Sequence, residues 1–183
     1  MFAPFRTFAR KLRRFGRARR GVTALEFALV LPPFLLLTVG LAEVAMIGLA
    51  QTSLDFAVTE TARQIRTGEA QNNGWSASEI ENRICDKFDD FLVVDCASNI
   101  SIDVRHFSSF VDASNNLAAP IDNGQFDPSG LGYAPGVASD IVVVRAYYRW
   151  DVLTPMFERV FGNLSNGDRI LVSTMMFRTE PYG

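Results

Sequence analysis

The sequence predicts an α+β chain in which a long apolar N-terminal helix packs against a small antiparallel sheet. Three observations predict it. An apolar run from Val22 to about Ala50 carries only Glu26 and Glu43 as charges. Beyond that run Ile47, Ala50, Leu54, Ala57, Val58, Thr61 and Ile65 recur at spacings of three and four, so the helix continues with an apolar stripe along one side. Farther on, Ile100, Ile102 and Val104 alternate with polar residues at the period of a strand, and helices followed by strands in blocks read as α+β.

The first segment, Met1 to Gly21, holds eight basic residues and no acid. The chain as a whole carries −2, which leaves −10 for the remainder. An acidic body excludes nucleic acid as its partner, because phosphate binding needs clustered Lys and Arg there. A basic block directly before an apolar run is instead a topology signal: the leader stays in the cytoplasm and the body lies across the membrane.

The apolar run itself is long enough to span a bilayer, which takes about 20 helical residues. A secretory signal fits poorly, since its apolar core is shorter and ends at a small-x-small cleavage site, to which Gly48-Leu49-Ala50 is the nearest approach. A twin-arginine signal fits worse, because Arg13-Arg14 and Arg19-Arg20 lack the expected surroundings. An uncleaved anchor fits the length and flanks but leaves Glu26 unexplained: an acid within a span costs about 2.5–3.5 kcal/mol on the mildest scales. Pro32-Pro33 predicts a bend within one helix, with a break into two as the alternative.

Thr67-Gly68 supplies the helix stop. Ser76-Ala77-Ser78-Glu79 is a capping box, and the helix it opens places Ile80, Ile84, Phe88 and Phe91 on one face. Strands are expected at Leu92 to Asp95, Asn99 to Phe107, Asp140 to Trp150 and Arg169 to Arg178, the last two central or well covered. Pro155 to Phe161 reads as a short helix ended by Gly162, and the polar, Gly- and Pro-rich stretch from Ser108 to Gly136 reads as a long loop and a candidate partner contact. Turn chemistry accounts for Asp112, Asp122 and Asp127 better than calcium does, because EF-hand spacing is missing.

Cys85 and Cys96 stand eleven apart, with no CxxC and one His in the whole chain. This favours a disulfide in an oxidising compartment over a metal or redox site, with two reduced core thiols as the alternative. No metal, cofactor or catalytic residue is expected: His106 is alone on an alternating strand, and no nucleophile elbow or phosphate loop is present. Tyr147, Tyr148 and Trp150 read as packing residues.

The basic leader, Gly21, V-T-A-L-E-F and the apolar helix together resemble the N-terminus of type IV prepilins. The match is to the TadE-like branch, the minor pilins or pseudopilins of the tight-adherence (Flp) pilus. RRG-x-x-A-x-EFAL-x-x-P at the start, A-R-Q-I-R-T-G at the helix end and R-T-E-P-Y at the end of the final strand carry the resemblance. Two departures point from the major subunit to a minor one: Val22 stands where many pilins have phenylalanine, and Glu26-Phe27 precedes more than 130 residues where major Flp pilins show Glu-Tyr and a short body.

The resemblance implies a type IV pilin-like fold with a basic leader (1–21), a transmembrane and assembly helix (22–50) and a periplasmic α+β head (51–183). It implies a non-enzymatic assembly protein in the bacterial inner membrane, cut by a prepilin peptidase between Gly21 and Val22. Its other partners would be pilin and pseudopilin subunits, the inner-membrane assembly platform and membrane lipid. Glycine lets a protease approach the backbone closely. Cleavage frees a cationic amine on Val22, and Glu26, one turn on, can pair with that amine of its own or a neighbouring subunit and set register. The alternatives are an acid that snorkels to water, and a single-pass periplasmic binding or structural protein that is never processed.

Overall fold

The computed structural model describes residues 21–88, 95–117 and 120–182. Residues 1–20 of the leader lie outside them, as do Phe91 and residues 92–94 of the expected first strand; Asp95, its last residue, is irregular. The chain divides into two compact units, Met1–Ala42 and Glu43–Gly183.

One helix, α1 (Val22–Arg66), contributes to both units. Pro32 and Pro33 lie inside it and do not divide it, as expected of prolines in the one setting that tolerates them. In the first unit its leucines, valines and phenylalanines are exposed, apart from the half-buried Leu31. In the second, Ala50, Leu54, Ala57, Val58, Ala62 and Ile65 are buried in a single stripe, and the small residues among them let the helix approach the sheet closely. The helix stops where Gly68 takes φ 82°, a left-handed conformation that glycine enters without a Cβ penalty. A single further turn, α2 (Glu69–Asn72), was not legible in the sequence.

The capping box forms as its residues dictate. The Ser76 amide donates to Glu79 Oε2 at 2.6 Å while the Glu79 amide donates to Ser76 Oγ at 3.4 Å, opening α3 (Ala77–Phe88). Its buried face is Ile80, Ile84, Cys85 and Phe88. Cys85 is disulfide-bonded to Cys96, their Cα atoms 5.5 Å apart, so the end of α3 is tied to the approach to the sheet.

The sheet begins with β1 (Ile100–Phe107). The stretch expected as an open loop is partly ordered: α4 (Phe110–Asn115) is capped by Ser109, and β2 (Ile121–Asp122) and β3 (Gln125–Phe126) form a small hairpin. Asn123 and Gly124 turn that hairpin, both at positive φ, as a tight two-residue turn requires. A one-turn 3-10 helix (Pro128–Gly130) follows, capped by Asp127, whose Oδ1 accepts from the Ser129 amide.

Next come β4 (Ile141–Trp150), a 3-10 turn (Pro155–Phe157) continuing into α5 (Glu158–Phe161), and β5 (Arg169–Arg178). The main sheet is antiparallel with order β1-β4-β5. Its middle strand, β4, is buried almost throughout, whereas β5, expected to be central or well covered, is an edge among the described residues. The edge is partly protected. The Asn163 side chain accepts from the Ile170 amide at 2.8 Å and donates to the Ile170 carbonyl, imitating a neighbouring strand, and Gln51 of α1 donates to the Val172 carbonyl at 3.0 Å. The core between helices and sheet gathers Leu54, Val58, Ile65, Ile80, Ile84, Phe88, Val142, Val144 and Leu171. Phe88 meets Tyr148 with ring centroids 4.7 Å apart.

Candidate functional site

The first region of interest is the start of α1. Gly21 precedes the helix directly, and a side chain placed on it would meet nothing within 4 Å. Val22 is the first helical residue. Glu26 lies one turn on, exposed among Leu25, Phe27, Leu29 and Val30, which are exposed too, and no hydrogen bond or ion pair holds it among the described residues. A carboxylate on an exposed apolar surface calls for a polar or cationic partner from beyond the described residues, such as water, a lipid headgroup or another protein. The helix is long and apolar enough to cross a membrane.

Residues 21–63 match the family described as TadE-like protein. That segment is TadE-like. No curated protein and no solved structure matches the chain. The matched stretch begins on Gly21, takes in Glu26, and ends within the last turn of α1, so TadE-like character lies in the helix rather than in the sheet. Together with the small antiparallel sheet it gives an α+β, pilin-like fold. The TadE-like match of the helix supports a minor-pilin role associated with the tight-adherence pilus. The helix fits a single-pass membrane anchor.

Two charged sites escaped sequence reasoning. Glu43, the second acid of the apolar run, is only 3% exposed. Its Oε1 accepts from the Leu153 amide at 2.8 Å and its Oε2 from the Thr154 hydroxyl at 3.0 Å. Two donors satisfy the buried carboxylate, and here it fastens the β4–β5 connection to the helix. The signal was its presence in an apolar run; its partners, more than a hundred residues away, gave none.

The second is Asp103, which reads as an outward polar step of β1 yet is 1% exposed. It stands opposite Arg145 in the β1–β4 register. Arg145 donates to Oδ2 through Nε at 3.2 Å and also through Nη2, while Oδ1 accepts from Arg105 Nε at 2.9 Å and from the Gly132 amide at 2.9 Å. Burial pushes the Asp103 carboxyl up, but the hydrogen bonds from Arg145, Arg105 and Gly132 together outweigh it and hold the group below its ordinary range. The site is architectural. Through Gly132, and through the bonds Val104 exchanges with Gly132 and Ala134, it pins the 128–134 segment along the outer side of β1. Arg145, set in the middle of the apolar run of β4, was the available clue. Tyr147, Tyr148 and Trp150 are buried packing residues, and His106 is exposed at the end of β1.

Proposed function

We infer that the chain is a minor pilin or pseudopilin required to assemble a tight-adherence pilus. The observation that carries this reading is the TadE-like match beginning on Gly21, with Glu26 exposed one turn into the helix and without a partner among the described residues. A prepilin peptidase on the cytoplasmic side removes residues 1–21 by cutting before Val22. The helix, 22–50, then holds the chain in the bacterial inner membrane and later packs among other pilin helices. Its last turns, from Glu43, are already built into the head. The rest, 51–183, is the periplasmic head.

Glu26 acts after cleavage. The new Val22 amine is cationic at neutral pH, and the carboxylate pairs with it on the same or a neighbouring subunit, offsetting the cost of burying both in an apolar bundle. The energy of that pair depends on axial position, so it sets the stagger between subunits. The inner-membrane assembly platform moves the subunit; the chain itself supplies shape, charge and an anchor.

Intact mass or N-terminal sequencing of protein from membranes containing the prepilin peptidase tests the reading. The expected chain begins at Val22, and Gly21→Leu abolishes the trimming without preventing insertion. A chain that keeps residues 1–21 in the presence of active peptidase refutes processing and leaves an ordinary single-pass anchored protein.

A further inference from the structure

We propose that the connection from Leu153 to Val160 lies on the lipid surface of the membrane that holds the helix, with Glu43 as the latch that keeps it there. The exposed residues of this segment are strongly apolar: Leu153 is 63% exposed, Met156 65% and Val160 69%. Met156 and Val160 stand four apart along a 3-10 turn and a short helix, and Leu153 is exposed just before that turn. Phe157 and Phe161 are partly buried and pack against each other with centroids 5.3 Å apart, which gives the segment a rigid backing. Arg169 donates to the Phe161 carbonyl at 2.8 Å and closes the far end.

The position of the latch identifies the occupant. Residues 22–42 supply about 30 Å of helix at 1.5 Å per residue, the thickness of a bilayer's hydrocarbon core. Glu43 is the next residue and the first of the head's compact unit. Its carboxylate holds the Leu153 amide and the Thr154 hydroxyl, so the apolar segment starts within hydrogen-bonding distance of the residue at which that length of apolar helix is complete. Exposed Arg159 adds a cation of the kind that favours anionic headgroups. Three side chains are too few for a stable protein interface, which buries about 1,200–2,000 Å², but they suffice for a segment whose anchoring helix already holds it at the bilayer.

This rests on the apolar helix spanning a bilayer, and the experiment separates the two ideas. The full chain is reconstituted at low protein density in phosphatidylcholine–phosphatidylglycerol vesicles, with a bimane label placed singly at Met156→Cys, Leu35→Cys or Val111→Cys. The native cysteines are bonded to each other and do not compete for label. Shallow doxyl lipid should quench the label at 156 at least twofold and deep doxyl lipid the label at 35, while iodide alone quenches the label at 111. Glu43→Ala should return the label at 156 to iodide and leave the label at 35 in lipid. A label at 156 that behaves like the one at 111, while 35 remains in lipid, overturns the proposal and spares the span. A label at 35 open to iodide overturns the span itself. Quenching at 156 that appears only at high protein density makes the occupant another subunit and overturns the proposal too, and a label at 156 that stays in lipid in Glu43→Ala overturns the latch.

Discussion

Tyr182 lays its ring against Gly68, where the backbone turns at φ +82° and an added Cβ would collide with the ring. The contact closes the head. Beside it the Glu180 amide donates to the Arg66 carbonyl at 2.8 Å, and the Arg66 and Glu180 side chains pair at 3.3 Å. The helix-end motif R-T-G and the final R-T-E-P-Y, distant in sequence, therefore meet as one clasp.

Gly68→Ala should destabilise the head by about 3 kcal/mol, combining left-handed strain with the clash. In a Tyr182→Ala background the same change should cost only the roughly 1–2 kcal/mol of left-handed backbone. Denaturant unfolding followed by the fluorescence of buried Trp75 and Trp150 measures both. Equal costs in the two backgrounds would mean that the ring contact contributes nothing.

Asp103→Ala should cost about 3–5 kcal/mol, because it removes the buried carboxylate that accepts from Arg145, Arg105 and the Gly132 amide. Replacing both Asp103 and Arg145 with apolar residues should recover much of that loss. The same site makes the head acid-sensitive. The Asp103 carboxyl lies below its ordinary value of 3.8 in the folded chain, so the unfolded chain binds the proton first. Its stabilisation is complete above that value and fades as pH falls through the folded one. Asp103→Asn should flatten this part of the stability-versus-pH curve, measured as unfolding midpoints between pH 2 and 6.

Opening the Cys85–Cys96 bond, by reductant or by Cys→Ser at both positions, should cost about 3 kcal/mol, the chain-entropy value for closing a loop of this length. Thermal melts with and without reductant check it, and an unchanged midpoint in the double serine variant would show that the bond adds no stability.

Glu26→Ala should be trimmed normally and insert normally yet reduce surface pili at least tenfold, counted by shearing and immunoblotting. Glu26→Asp keeps the charge on a shorter arm and should fall between the two. Full piliation by the alanine variant would remove the register role.

What the sequence disclosed of this fold was whatever depends on near neighbours. The Ser76–Glu79 box works within one turn, so its residue types alone placed α3. Strand alternation marked β1, and the apolar blocks marked β4 and β5 to within a residue. Strand order was hidden, because β5 also reads as an apolar block and only the partner on its far side, or the lack of one, makes it an edge. Asn123-Gly124 is a hairpin signal, but its two-residue strands are too short to show a pattern. Glu43 and Asp103 were illegible for another reason: their meaning depends on donors at Leu153, Thr154, Arg145 and Gly132, which only the folded chain brings near. At the start of α1 the residues themselves were legible, since Gly21, Val22 and Glu26 are defined by spacing along a single helix.

The bonds between α1 and the β4–β5 half of the head have a mechanical consequence. Glu43 to Leu153, Gln51 to Val172 and Arg66 to Glu180 are spaced along about 35 Å of one rigid rod. A pull along the rod strains all three together, as a glued lap joint is strained, rather than peeling them in turn. Such a joint fails at the sum of its bonds. A subunit tugged by its helix, during extrusion or under load on a fibre, should therefore leave the membrane with its head intact.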